Sequence, residues 1–200
     1  MGVAMQKIVW ELDNLTAVGG HDLALAGDPK TIDGPHGSAI EFDGAGDAIF
    51  IAANPLAGWA AMTVEVLFRP DAAGLPEQRF LHLGSVNGDR VLFETRLTDD
   101  GQWYLDTFIS SGDAMCPLLN EQYLHPVGEW YHLAMTCDGR EEVNYVNGVK
   151  EASGAIDFAP LPAGQMSVGV RLNRVCWFKG AIGRLRFTEG VLAPEQFMTA

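Results

Sequence analysis

The sequence predicts an all-β fold in which two antiparallel sheets pack face to face, as in a sandwich or a jelly roll. Short runs of alternating apolar and polar residues recur along the chain, roughly ten to thirteen of them. The 23 glycines and 10 prolines are spread along the chain, which suits many short strands joined by turns. The one helical turn that the pattern indicates is "APEQFMTA", residues 193–200, with Pro194 at a suitable first helical position.

The predicted strands follow one another with short connections. Ala39–Phe42 and Ala48–Ile51 are joined by the turn Asp43–Asp47, and a long loop spans residues 111–129. The other strand-like runs are "MTVEVLFRP" (62–70), "RFLHLGS" (79–85), "RVLFETRL" (90–97), "QWYLDTFIS" (102–110), "WYHLAMTCDG" (130–139), "VNYVNGV" (143–149), "MSVGVRLN" (166–173) and "FKGAIGRLRFT" (178–188). Because their spacing is even throughout, we expect a single domain over residues 1–200.

The composition argues against several classes of function. A net charge of −13 disfavours nucleic acid as a partner, although an acidic protein can still carry a locally basic cleft. The sequence has no run of about 18 apolar residues, so it predicts no membrane insertion. Cys116, Cys137 and Cys176 are odd in number and lack metal-ligand spacing. The stretch "MGVAMQKIVWELDN" lacks the layout of a secretory leader, which leaves open a cytoplasmic protein and one whose leader has been removed.

Four segments occur in an order and spacing typical of a known family. They are "AIEFDGAGDAIFI", "MTVEVLFRPD", "GEWYHLAMTCDGREEVNYVNGV" and "WFKGAIGRLRFTEGVLAPEQF". Together they resemble the laminin-G-like, concanavalin A-like jelly-roll domains, over residues 38–197. The resemblance implies two curved antiparallel sheets and a concave face on which relatives bind or cleave glycans. It therefore implies an oligo- or polysaccharide as the partner.

The resemblance also implies a structural Ca²⁺ in some relatives, at the rim near the F-D-G turn. Asp43 and Asp47 are the candidate ligands here. Calcium takes about six to eight oxygens, and aspartates in a tight turn equally serve as turn formers. Many relatives carry an acidic residue after the isoleucine of the last strand, where this chain has Gly183 after Ile182. We expect no other cofactor.

The period of two along each strand separates an inward apolar side from an outward side. The residues predicted to lie inward are Val64, Val66, Phe68, Leu81, Leu83, Val91, Phe93, Leu97, Leu105, Ile109, Leu133, Met135, Cys137, Val168, Val170 and Leu172. Glu94, Arg96, Tyr104 and Asp106 should then share one outward face, which we expect to be the concave one. Arginine grips carboxylates and histidine titrates near neutrality, so this mixture suits a polar site. The same carboxylates and arginines could equally form a ladder of cross-strand ion pairs.

Three classes of function stay open. A carbohydrate-binding module is the commonest role in the resembled family, and we place it slightly ahead. A purely structural or interaction jelly roll is another class. The remaining class is a glycan-cleaving enzyme, either a glycoside hydrolase with two carboxylates or a polysaccharide lyase with a cation and a base–acid pair. Its candidate catalytic residues are Glu94, Arg96, His82, Tyr104 and Glu65.

No catalytic role is carried over from related enzymes. The E-x-D-x-x-E signature of the concanavalin A-like glucanases is absent, and so are the R-x-E-L-R, Q-x-H and Y-F-K-A-G motifs of the jelly-roll alginate lyases. Trp177 could stack on a sugar or belong to the core. The candidate ligand-binding residues are Arg69, Asp106, His132, Arg171, Asn173, Trp177 and Lys179.

Overall fold

The structure is a computed structural model that describes residues 5–199, so the first four residues of the N-terminal stretch lie outside it. A 3₁₀ turn at Pro194–Gln196 confirms the predicted helical turn. Within residues 5–199, no helix has the length and apolar character needed to cross a membrane. The strands are β1 Lys7–Glu11, β2 Ala17–Val18, β3 His21–Asp22, β4 Ala24–Ala26, β5 Lys30–Gly34, β6 Gly37–Asp43, β7 Ala48–Ile51, β8 Met62–Pro70, β9 Glu77–Gly84, β10 Arg90–Leu97, β11 Gln102–Ser111, β12 Ala114–Leu119, β13 His125–Pro126, β14 Tyr131–Cys137, β15 Glu141–Val146, β16 Val149–Ala155, β17 Gln165–Val168 and β18 Lys179–Glu189.

These strands form two large antiparallel sheets, which we call sheet I and sheet II. Sheet I has the order β16-β15-β14-β8-β18-β6-β5, with β1 beside the second half of β18. Sheet II has the order β12-β11-β10-β9-β17-β7-β4, with β13 also paired to β11. A short β2-β3 hairpin stands apart. This is the two-sheet jelly-roll sandwich of the concanavalin A-like type that the sequence predicts.

The core lies between the two sheets and is built by the predicted alternation. Every inward residue assigned to a strand of the structure packs in this core or against it. Its centre is an aromatic cluster. The ring centroid of Phe68 lies 4.9 Å from those of Phe80 and Trp103 and 6.0 Å from that of Phe178. Such pairs contribute about 0.5–1.5 kcal/mol each beyond the burial of their area.

Two predicted boundaries were wrong. The segment 111–129 is not one loop, because β12 pairs with β11 over six residues at the edge of sheet II. Pro117 hides this strand in the sequence, yet an edge strand tolerates proline, since one side of it needs no hydrogen bonds. The run "MSVGVRLN" ends as a strand at Val168. Gly169 follows with φ +86°, and a Cβ there would lie 2.4 Å from the Phe42 ring. Val170 is therefore buried outside a strand.

A buried polar contact joins the two sheets. Thr107 Oγ1 on sheet II lies 2.5 Å from Glu142 Oε1 and 2.9 Å from Asn144 Oδ1 on sheet I. The Asn144 amide orientation is fixed because Nδ2 donates to Leu118 O at 3.1 Å. A hydroxyl has a single hydrogen, so Thr107 cannot donate to both oxygens. A protonated Glu142 resolves the conflict: it donates to Thr107, which donates to Asn144.

The burial of the Glu142 side chain favours this protonated form. It raises the pKa of Glu142 to about 7, although the Thr107 hydroxyl opposes the rise. An acid with a raised folded-state pKa stabilises the fold fully below its unfolded-state pKa and loses that contribution as pH rises through the folded-state value. For Glu142 the loss spans about pH 4.5 to 7.

We predict that Glu142→Gln stabilises the protein more at pH 8 than at pH 5, by on the order of 2–3 kcal/mol. The glutamine amide can donate to Thr107 at every pH. Urea denaturation at both pH values measures the difference. Glu141→Gln, at the neighbouring exposed glutamate, is the matched control and should show no such trend. An equal effect of Glu142→Gln at both pH values would contradict the protonated state.

Candidate functional site

Two rows of polar side chains cross the outer face of sheet II. Cross-strand register aligns them over β11, β10 and β9, because outward residues on neighbouring antiparallel strands stand opposite one another. The structure therefore brings together the four residues that the sequence placed on one face and adds two from β9. The first row is Tyr104, Arg96 and Glu77, and the second is Asp106, Glu94 and Arg79.

Five of these residues form one charged network. Arg96 contacts three carboxylates: Nη1 lies 2.7 Å from Glu77 Oε2, Nε donates to Asp106 Oδ2 at 2.8 Å, and Nη2 lies 3.6 Å from Glu94 Oε2. Arg79 Nε lies 2.9 Å from Glu94 Oε1, and its Nη2 pairs with Glu77. The network thus takes the form of the cross-strand ion-pair ladder that the sequence left open as an alternative.

The two central carboxylates are buried beneath the arginines. Glu94 and Asp106 are each 3% exposed. Burial raises the pKa of both, and the hydrogen bonds from Arg79 to Glu94 and from Arg96 to Asp106 offset the rise only in part. Asp106 accepts a hydrogen bond from Arg96, and Glu94 Oε1 lies beside Arg79, whereas Glu94 Oε2 has no hydrogen-bond partner among residues 5–199. Tyr104 is half-buried at the open end of the network.

His82 lies on this face but is fully buried. Its Nε2 donates to Ser85 O at 2.9 Å, and its Nδ1 accepts a hydrogen bond from Leu172 N at 3.2 Å. Burial lowers the pKa of His82 to about 4, which keeps the ring neutral. His82, a candidate catalytic residue, therefore holds the segment after β17 against sheet II through the hydrogen bond from Leu172 N.

A row of mainly apolar residues runs beside the charged network. Two arginines stack on its ends: the Arg90 guanidinium lies 4.8 Å from the Phe108 ring centroid, and that of Arg174 lies 4.9 Å from the Phe50 centroid. Stacked guanidinium groups keep their in-plane donors free for other partners. From β11 to β7, the row is Phe108, Leu92, His82, Ser167 and Phe50.

Sequence reasoning missed Arg79 because of a β-bulge. Simple alternation with Leu81 and Leu83 turns Arg79 inward. The pairing of β9 with β10 shifts register between Phe93 and Glu94, and the extra residue, Phe80, is buried in the core. One inserted residue reverses the direction of every residue beyond it. No signal in the strand pattern marks this position.

Glu65 and His132 lie on the opposite side of the molecule, which corrects the expectation that Glu65 shares a site with Glu94. Both stand on the outer face of sheet I, where His132 Nε2 contacts Glu65 Oε1 at 2.9 Å. Arg186 donates to the second oxygen of Glu65, and Met198 N donates to the first at 2.7 Å. Burial by itself raises the pKa of Glu65, but these hydrogen bonds outweigh it and lower the pKa.

The C-terminal segment 192–199 covers this part of sheet I. Arg186 Nη2 donates to Gln196 O at 2.8 Å, and the Phe197 ring lies 5.6 Å from the His132 ring and 5.1 Å from that of Tyr145. The Glu65 group is thus buried under a chain segment that it holds in place.

The remaining candidates lie in two other places. Arg171 and Asn173 follow β17 over sheet II, with a half-buried Trp177 at the end of that segment. Arg69 lies at one end of the sandwich, where it donates to Asp71 Oδ1 at 2.8 Å. Beside it lies a cavity of about 620 Å³, lined by Asp28, Lys30, Glu41, Phe42, Asp43, Asp47, Asp71 and Lys179. We call it the rim cavity.

The carboxylates proposed as calcium ligands are engaged in the turn itself. Asp43 Oδ1 accepts backbone hydrogen bonds from Ala45, Gly46 and Asp47 at 2.8–3.1 Å. Asp47 accepts from the backbone N of Asp28 at 2.7 Å and of Asp43 at 3.2 Å. Across residues 5–199, no three histidine, cysteine or acidic side chains cluster as a metal-ligand set. The residues fit a turn better than a metal site, and the structural Ca²⁺ stays a prediction.

Comparison with known proteins identifies the family. A laminin-G-type family model, described as the concanavalin A-like lectin/glucanases superfamily, matches residues 43–197. The chain therefore belongs to the concanavalin A-like lectin/glucanase superfamily. Comparison with curated proteins finds no match.

Several solved structures share the fold. Domain 4 of AbnA, a GH43 extracellular arabinanase from Geobacillus stearothermophilus in complex with arabinotriose, is 23% identical with a TM-score of 0.69, and the match covers 94% of each chain. The heptameric SAP-like pentraxin from Limulus polyphemus is 16% identical with a TM-score of 0.62, over 79% of this chain and 78% of that one. The binding domain of botulinum neurotoxin DC in complex with SialylT is 9% identical with a TM-score of 0.67, over 94% of this chain and 49% of that one.

We predict that Glu65→Gln lowers the free energy of unfolding by about 3–5 kcal/mol, because removing one member of a buried ion pair leaves the other charge uncompensated. Urea denaturation at pH 7 measures the change. Glu41→Gln is the matched control, since Glu41 pairs with Arg69 at a partly exposed position and should cost less than about 1 kcal/mol. Equal small losses in both variants would show that the Glu65 group does not hold the C-terminal segment.

Proposed function

We propose that this domain binds a glycan on the outer face of sheet II without cleaving it. The observation that carries the proposal is the contrast between the two outer faces. The C-terminal segment lies over Glu65 and His132 on sheet I. On sheet II, Tyr104, Arg96 and Phe108 keep part of their surface exposed beside fixed charged groups.

This surface combines the two kinds of contact that sugars need. Arg96 and Glu77 present donors and acceptors whose positions are fixed by the charged network, and such groups orient a ligand's hydroxyls. Tyr104 and Phe108 present aromatic rings four residues apart on the same side of β11. The exposed side chain of Leu119 on β12 stands opposite Asp106, between them. A hydroxyl-rich ligand with apolar C–H faces matches both.

The chemistry of the face favours binding over cleavage. A hydrolase needs one carboxyl group as acid and a second as base or nucleophile, whereas Glu94 and Asp106 are both tied to guanidinium groups. A lyase needs a base free to take a proton, whereas both nitrogens of His82 are engaged by the backbone. The arabinanase domain in complex with arabinotriose and the toxin domain in complex with SialylT support the binding role by likeness of fold.

A glycan array and a depolymerisation screen test the proposal together. We expect the protein to retain at least one glycan and to release no sugar fragments from any. Tyr104→Ala should weaken binding about fivefold, because it removes one aromatic contact worth about 1 kcal/mol. Tyr145→Ala, at a half-buried tyrosine on the outer face of sheet I, is the matched control and should bind as the parent does.

The possible results separate the functions clearly. Retention without fragment release, weakened only by Tyr104→Ala, supports the proposal. Release of fragments would replace binding by catalysis. Absence of retention on every glycan, with the thermal unfolding of all three proteins intact, would overturn glycan binding and leave a structural jelly roll.

A further inference from the structure

Three arginines on the outer face of sheet II lack acidic partners, unlike five of the other six arginines of the protein. We call Arg90, Arg171 and Arg174 the arginine group. Within residues 5–199, no carboxylate forms an ion pair with any of them, and the same holds for Arg140 in a distant turn. The arginines that do pair with carboxylates are Arg69, Arg79, Arg96, Arg184 and Arg186.

Two members of the group donate hydrogen bonds to the same turn between β9 and β10. Arg90 Nη1 donates to Gly88 O at 2.6 Å, and Arg171 Nη2 donates to Val86 O at 3.1 Å. Carbonyl groups orient the guanidinium groups but do not neutralise them. The nearest acid in sequence, Asp89, accepts a hydrogen bond from Gly112 N at 2.7 Å. Its charge only partly offsets the local positive field.

The positive charges act on one another. Burial lowers the pKa of Arg90, and the charges of Arg171 and Arg79 lower it further. Like charges held side by side favour a bound anion, since an anion relieves their repulsion. This concentration of positive charge stands out on a protein with a net charge of −13.

The segment that carries Arg171 and Arg174 is fixed in place. Arg174 has φ +61° and Cys176 has φ +57°, conformations that residues with a side chain rarely adopt. The sheet holds them there: the His82 ring accepts from Leu172 N at 3.2 Å, and Arg79 N donates to Cys176 O at 2.8 Å. Strained backbone held by its surroundings is a common feature of ligand-binding elements.

We propose that the arginine group recognises an acidic glycan, whose carboxylate or sulfate groups pair with Arg90, Arg171 and Arg174. The inference rests on the proposed glycan-binding function and names its ligand class. Phe108 and Phe50, under Arg90 and Arg174, are four strands apart, or about 19 Å at about 4.8 Å per strand. A chain with repeated charges spans that distance, whereas a single small anion does not. Phe108 belongs to the proposed glycan-binding surface and also carries the Arg90 guanidinium, so an acidic glycan is the polyanion that would use both groups.

The test compares acidic glycans with neutral forms of the same backbone. The probes are oligogalacturonate beside its methyl ester, and dextran sulfate beside dextran, on the same array as the neutral glycans. We expect binding of at least one acidic probe, with about tenfold weaker binding of its neutral form. Binding should also weaken as salt rises from about 0.05 to 0.5 M, because salt screens exposed charges. The galacturonate and sulfate arms distinguish the two kinds of acid.

Variants assign the effect to the arginine group. Arg90→Gln and Arg174→Asn should each weaken binding of the acidic probe about tenfold. Asparagine tolerates the positive φ at position 174, so the second variant preserves the backbone. Arg140→Gln removes an equal charge from a distant turn and should change nothing. Thermal unfolding of each variant checks that the fold is intact.

The failures can be told apart. Retention of neutral glycans alone, or equal retention of an acidic probe and its neutral form, overturns the acidic ligand class and leaves the proposed function standing. If the protein binds no glycan, acidic or neutral, both the acidic ligand class and the proposed function are overturned. Binding of a single-stranded oligonucleotide as tightly as the best acidic probe, or equal loss in the Arg140→Gln control, also overturns the inference.

Discussion

The structure depends on the burial of one apolar face of each sheet against the other. Each large side chain that leaves water contributes roughly 1.5–3 kcal/mol, and the cluster around Phe68, Phe80, Trp103 and Phe178 brings many such contributions together. Because strand side chains alternate, turning these residues inward forces their neighbours outward. The rows of polar residues on sheet II exist because the core fixes their direction.

The two outer faces use similar residues for different purposes. On sheet I, Glu65, His132 and Arg186 are closed off beneath the C-terminal segment, and their hydrogen bonds hold that segment down. On sheet II the charged network stays at the edge of solvent. A buried charge requires a partner, which explains why Glu94 and Asp106 are paired with arginines. The ion pairs of this network therefore hold the side chains of both rows in fixed positions on sheet II.

The arginine group shows the converse arrangement. Its charges are held by aromatic rings and backbone carbonyls, which orient a guanidinium without cancelling its charge. The interior contact of Thr107, Glu142 and Asn144 lies on the core side of β11, since Thr107 stands between the outward residues Asp106 and Phe108. A polar contact inside the sandwich and the proposed binding surface thus share one strand.

The sequence by itself determined the fold class, most of the core and the shared face of Glu94, Arg96, Tyr104 and Asp106, because strand alternation is a local property read from neighbouring residues. Alternation separates inward from outward, but it does not say to which sheet a strand belongs. For that reason the sequence pattern groups Glu65 with Glu94, although β8 lies in sheet I and β10 in sheet II. The bulge that turns Arg79 outward and the closeness of Arg171 to Arg90 were decided by tertiary structure alone, since both arise from register and packing between segments far apart in the chain.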